Sequence, residues 1–230
     1  MLDRLSGLLA GLVFVSMMLA LYMVFMVVPT ENQMGVVQRI FYFHVPSAIT
    51  AFLAFFIVFV CSIQYLRTQE ERWDQVAVCA AELGVAFSLI VLITGPIWAK
   101  PIWGTWWRWE PRLTSMLIMF TMYTAYLMVR AYGTHPLQTR RFAAVLGIIG
   151  FVNVPLVHYS IKLWAPEQQL HPQQVSLVDP RMFYTKLASY VAIFSFFFFL
   201  LQWRFQIEKG ARLLAQLRRQ AEALLPDDRR

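Results

Sequence analysis

Apolar positions run almost without interruption through most of the chain, and the polar ones gather between the runs. Six runs are long enough to cross a bilayer: Leu8–Val28, Ala48–Tyr65, Val76–Trp98, Leu113–Tyr132, Phe142–Tyr159 and Leu187–Trp203. A hydrocarbon core takes about 20 such residues as helix. Backbone groups there must be paired within the protein, so every run is predicted as an α-helix. The expected fold is an all-α membrane protein: a six-helix bundle over residues 1–206, then a basic tail at 207–230. The first run is too long for a signal-peptide core and no A-x-A site follows it, so it reads as a retained anchor. Asn153 and Pro155 interrupt the fifth run and predict a kink there.

Between the runs the pattern changes. Thr30 to Gln33 fits a capping box, and Val37, Ile40, Phe41 and His44 then recur on one helical face. Pro46 ends or turns that segment. The expectation is a short amphipathic helix at the membrane surface with His44 facing the bundle. Lys100-Pro101 likewise predicts a turn after the third run. If helix resumes beyond it, Trp103, Trp106, Trp107 and Glu110 share a face.

Composition agrees with the membrane reading. The chain is 59% hydrophobic and 14% charged, against about 45–50% and 25% in soluble domains. A net charge of +7 would also fit a nucleic-acid binder, but the basic residues lie in short loops and at the C-terminus, where they set topology. Arg4, Arg67, Arg72, Arg130, Arg140, Arg141, Arg204, Lys209, Arg212 and the tail fall on the terminal side. Arg39, Lys100, Arg108, Arg112, Lys162, Arg181 and Lys186 fall opposite. The bias puts both termini in the cytoplasm and three segments outside: Pro29–Ser47, Ala99–Arg112 and Ser160–Lys186. The tail reads as a helix with a basic face near anionic lipid, or as a topology signal alone. Cys61 and Cys79 sit in apolar runs with no C-x-x-C, so both read as small buried residues.

The outer side holds the unusual chemistry. Four of the eight tryptophans lie in one stretch, WGTWWRWEP. Two readings stand: an interfacial aromatic belt, or a platform for a large flat apolar ligand. Belts are spread over many helices, whereas these indoles share one segment. Lys100, Arg108 and Arg112 beside them suit anionic groups on a ligand's edge. Three of the four histidines, His44, His158 and His171, fall on the same side, and His135 falls in an inner loop. A flat apolar body with anionic edges and a metal that accepts imidazoles describes haem. Glu82 lies inside the third run with no basic partner in the spans, which leaves it protonated or facing a partner subunit.

The segments QRIFYFHVPSA, AELGVAFSLIVLITGPIWAKPIWGTWWRWEPRLTS and NVPLVHYSIKLW followed by LHP resemble the CcmC family, the haem-handling membrane proteins of cytochrome c maturation. The resemblance extends to about Trp203. It implies six spans in the bacterial inner membrane and non-covalent haem b held at the periplasmic face. His44 and His171 match the family's axial ligands, with His158 as the fallback. Trp103, Gly104, Trp106, Trp107, Trp109 and Glu110 match its platform, where the family usually has Asp in place of Glu110. Lys100, Arg108, Arg112 and Arg39 are the candidates for the propionates. The implied partners are a periplasmic haem chaperone similar to CcmE, and an ATPase and membrane subunits similar to CcmA, CcmB and CcmD. The chain has no G-x-x-x-x-G-K-[ST] loop of its own. Two axial ligands leave iron no open position, which fits a carrier and not an enzyme.

Two other functions compete. An electron-transferring b-type cytochrome would place a histidine pair within the spans, and none is present. A transporter moving haem through its own bundle would need a polar path, and Glu82 alone does not make one. The larger cytochrome c synthases share the tryptophan motif but carry further spans and histidines.

Overall fold

The computed structural model describes residues 4–164 and 179–224. Helix α1 (Arg4–Tyr22) ends in a π-helical turn at Met23–Val27. A 3₁₀ turn at Val36–Ile40 leads straight into α2 (Phe41–Thr68), followed by α3 (Glu71–Trp103), α4 (Pro111–Tyr132), α5 (Pro136–Phe151), α6 (Asn153–Trp164) and α7 (Pro180–Leu224). Helices α5 and α6 together make the fifth crossing. The described residues contain six helices long and apolar enough to cross a membrane, as the sequence predicts.

The core lies where α2, α3, α4 and α5 meet, with Ile193 and Phe197 of α7 joining it. Phe55 of α2 stacks on Tyr123 of α4 with ring centroids 3.7 Å apart. The Tyr123 hydroxyl donates to the Gly147 carbonyl of α5 at 3.2 Å. Gly84 of α3 closes the group, because a Cβ there would sit 2.5 Å from Phe55 Cε1. The stacked ring has nowhere to move. Gly84→Ala is therefore expected to destabilise the bundle by about 1–3 kcal/mol, seen as a lower melting temperature in detergent. Helix α1 is held to α7 by polar contacts, Ser16 to Ser195 and Gln202 to Ser6, each 3.1 Å. Such hydrogen bonds are the usual adhesive between helices in lipid.

Local structure departs from the sequence expectations at several points. The segment before Pro46 is not a separate surface helix: Pro46 lies inside α2, and His44 is in that helix's first turn. The Glu31 carboxylate accepts the N–H groups of Gln33 and Met34 and closes a tight turn instead of opening a helix. Lys100-Pro101 does not break the chain either, since α3 contains both Pro96 and Pro101 and runs to Trp103. In apolar surroundings each proline forfeits one backbone hydrogen bond, whereas leaving the helix would expose many. No helix then resumes before Pro111, so the four residues from Trp103 to Glu110 do not share a helical face. The kink in the fifth run is present. Helix α5 stops at Phe151, α6 starts at Asn153, and Asn153 Nδ2 donates to the Ser115 carbonyl at 2.8 Å.

Glu82, expected to lack a basic partner, has one. Arg204 Nε lies 2.6 Å from its carboxylate. Helix α7 is 45 residues long, about 67 Å at 1.5 Å per residue, roughly twice the hydrocarbon core. It passes residue 206 without a break, so Arg204 is still helical and faces α3. Arg204 also pairs with Glu208 at 3.2 Å, and Glu208 with Arg212 at 2.7 Å. Arg212 reaches Asp74 at 3.0 Å, and Asp74 is gripped in turn by Arg130. This charged end of the bundle lies opposite the tryptophan segment. Glu82 is about a third exposed and Arg204 keeps a second carboxylate. Glu82→Gln is therefore expected to cost about 1 kcal/mol or less, read as a near-unchanged thermal melt.

Candidate functional site

At the other end, the start of α2, the end of α3, the start of α4 and the kinked α6 enclose a cavity of about 290 Å³. Its polar contributions come from few residues, chiefly His44 and Arg112, and its aromatic walls from Trp98, Trp103 and Trp107. Val157, next to His158, also lines it.

His44 enters from the first turn of α2. Its Nδ1 lies 2.8 Å from Thr94 Oγ1 on α3. The ring packs over Gly95, where a Cβ would meet His44 Cε1 at 3.5 Å. Pro46 sits two residues on and, like the 3₁₀ turn before α2, belongs to the helix that aims the imidazole at the cavity.

The tryptophan segment divides into two pairs. Trp103 closes α3, and Gly104 caps it with φ 75°, a left-handed conformation natural to glycine. Trp103 meets Trp98 edge-on, with centroids 5.0 Å apart and planes at 84°. Trp107 meets Trp109 edge-on in the same way, at 5.7 Å and 78°. Trp103 and Trp107 line the cavity, whereas Trp106 and Trp109 are 57% and 75% exposed. Trp107 Nε1 is buried with no hydrogen-bond acceptor among the described residues. The outward pair has the placement of an interfacial belt, and the inward pair that of a ligand wall.

The basic candidates separate as well. Arg112, in the first turn of α4, lines the cavity. The preceding Glu110 is buried at the N-terminus of that helix, close enough for the two charges to interact. Lys100 is occupied at the end of α3, where Nζ donates to the Gly104 carbonyl at 3.0 Å. Arg108 is exposed, and neither Lys100, Arg108 nor Arg39 is among the cavity walls. Arg39 Nε, in the 3₁₀ turn, is buried without a hydrogen-bond partner among the described residues. His158 belongs to α6, and His171 lies outside the described residues.

Trp98 and Thr94 were not singled out by the sequence. Trp98 ends an apolar run, where it reads as part of a span. Its five-residue spacing from Trp103 places the two about 140° apart on an ideal helix, so periodicity carried no signal of their contact.

A family model described as Heme exporter protein C (CcmC) matches residues 1–220. The chain belongs to the CcmC family. A cytochrome c biosynthesis ccmC-like mitochondrial protein of Marchantia polymorpha is 32% identical over 197 residues, covering 86% of this chain and 83% of that one. Heme exporter protein C of Escherichia coli K12 is 34% identical over 158 residues, 67% of this chain and 63% of the relative. Its counterpart in Bradyrhizobium diazoefficiens is 35% identical over 136 residues, 59% and 52% of the two chains. The matches thus span about half to two thirds of these bacterial CcmC relatives.

Proposed function

We propose that this protein holds haem b non-covalently at the cavity and passes it to a carrier during cytochrome c maturation. Family membership supports haem handling. The observation that carries the assignment to this site is His44, which projects into a cavity walled by indoles with Arg112 at its edge. Haem supplies an iron that accepts two axial imidazoles.

The residues present fit that cargo. Indole walls suit the porphyrin faces. Arg112 and the Trp107 N–H, which has no acceptor among the described residues, suit a propionate carboxylate. A volume of about 290 Å³ is at the lower end of the ~300–1,000 Å³ usual for ligand clefts. The cargo would therefore be gripped at one edge and remain reachable, as a hand-off requires.

His44 is one axial ligand in this reading and His171 the other, with His158 as the alternative. The site end faces the periplasm and both termini face the cytoplasm of a bacterial inner-membrane protein, in line with the basic residues at the charged end. The recipient is a periplasmic haem chaperone similar to CcmE. Energy for release comes from partner subunits similar to CcmA, CcmB and CcmD. The protein itself carries out no covalent chemistry.

The test is haem titration of the purified chain and of His158→Ala and His171→Ala, followed by absorption spectroscopy. The low-spin bis-imidazole spectrum should survive His158→Ala and collapse to a five-coordinate form in His171→Ala. The reverse pattern would assign the second ligand to His158. Retention of the spectrum in both variants would remove both histidines from the site.

A further inference from the structure

We infer that Thr94 is a positioning residue for His44: its hydroxyl fixes the imidazole as the Nδ1–H tautomer and leaves Nε2 as the coordinating atom. This rests on the haem reading of the same cavity.

The Thr94 hydroxyl oxygen carries a single hydrogen. Thr94 Oγ1 lies 2.7 Å from the Ile90 carbonyl and 2.8 Å from His44 Nδ1. A carbonyl has no hydrogen to give, so a hydrogen bond between those oxygens uses the single threonine hydrogen. The same oxygen then has only lone pairs to offer His44. Nδ1 must therefore carry the hydrogen, and Nε2 the lone pair. The chain of donors runs His44 Nδ1–H to Thr94 Oγ1 to Ile90 C=O, and ends on backbone.

The position of Thr94 makes the arrangement stiff. A β-branched side chain in a helix has few χ1 choices, and the bond back to residue i−4 selects one of them. Gly95 follows, and the ring lies against α3 there. A metal-bound histidine commonly donates its second ring N–H to an outer partner, which sets tautomer and ring orientation. Here the partner is a neutral hydroxyl, not a carboxylate. That orients the imidazole without giving it strong anionic character, and a ligand of ordinary basicity suits a cargo that must leave.

The test uses the full-length protein with Thr94→Val, which keeps the shape and removes the hydroxyl, and Thr94→Ser, which keeps the hydroxyl. The first readout needs no haem. In protein labelled with ¹⁵N-histidine, His44 should show a protonated Nδ1 and an unprotonated Nε2 in wild type and Thr94→Ser, and a mixture of tautomers in Thr94→Val. The second readout is haem affinity, expected to fall by roughly 10–100-fold in Thr94→Val and to be largely kept in Thr94→Ser. The midpoint potential of the haem-loaded Thr94→Val protein should rise, because the imidazole becomes a weaker donor. A wild-type His44 protonated at Nε2 would overturn the inference, as would a Thr94→Val protein matching wild type in tautomer and affinity. Absence of haem binding in every form, with the tautomer result as expected, would refute the haem reading and leave the Thr94 lock standing.

Discussion

Replacing Asp74 with alanine is expected to destabilise the protein by about 3–5 kcal/mol, the usual cost of removing one partner from a buried ion pair. Its side chain is 2% exposed and accepts two bonds from Arg130, at 2.6 and 3.0 Å, in the bidentate geometry that makes such pairs strong. Arg212 adds a bond at 3.0 Å from α7, and Arg140 Nε lies 3.6 Å away on α5. One carboxylate therefore joins α3, α4, α5 and α7. Without it three guanidinium groups face each other at a poorly hydrated helix junction. Asp74→Asn should lie between wild type and alanine, since it keeps hydrogen bonding but loses charge. Thermal unfolding in detergent, read by loss of the monodisperse gel-filtration peak, is the measurement. An alanine variant that melts with wild type would show that the junction is solvated and the pair dispensable.

Replacing His44 with alanine is expected to remove the low-spin haem spectrum and to weaken haem binding by more than about 100-fold. Loss of an outer partner of a ligand costs roughly 10–100-fold, and loss of the ligand itself should exceed that. The fold should survive, because His44 occupies a cavity wall near the end of the bundle and not the Phe55–Tyr123 core. Free imidazole added to His44→Ala should restore much of the low-spin signal by filling the vacated position. Melting temperature close to wild type, together with imidazole rescue, would separate a lost ligand from a damaged fold. A low-spin spectrum and affinity equal to wild type would exclude His44 as a ligand.

The six spans were legible because the bilayer demands long apolar helices and hydropathy alone reports them. The break at Asn153 and Pro155 was legible because proline removes a backbone N–H from the helix ladder; the Asn153 amide there reaches across to the Ser115 carbonyl of α4. Helix ends were not legible from proline. Pro46 and Pro101 predicted boundaries by local rules, but α2 and α3 run through them because a membrane span has more to lose by stopping.

The partner of Glu82 was missed because ending the sixth span at Trp203 left Arg204 outside it. The tail carried a signal, since Arg204, Glu208 and Arg212 recur at i, i+4 spacing, a pattern that extends a helix. Asp74 lies just before the third apolar run, and nothing in one sequence reveals that three arginines from other helices converge on it. At the site, His44 was visible from its apolar neighbours. The split of the tryptophans into inward and outward pairs depends on how α3 ends at Gly104, which only the three-dimensional structure gives.

The most direct measurement of the central claim is the absorption spectrum of the full-length protein, purified in detergent and supplied with haem. The expected result is a stoichiometric chromophore with a low-spin bis-imidazole spectrum. A protein that retains its fold and helical content but acquires no haem chromophore would contradict it.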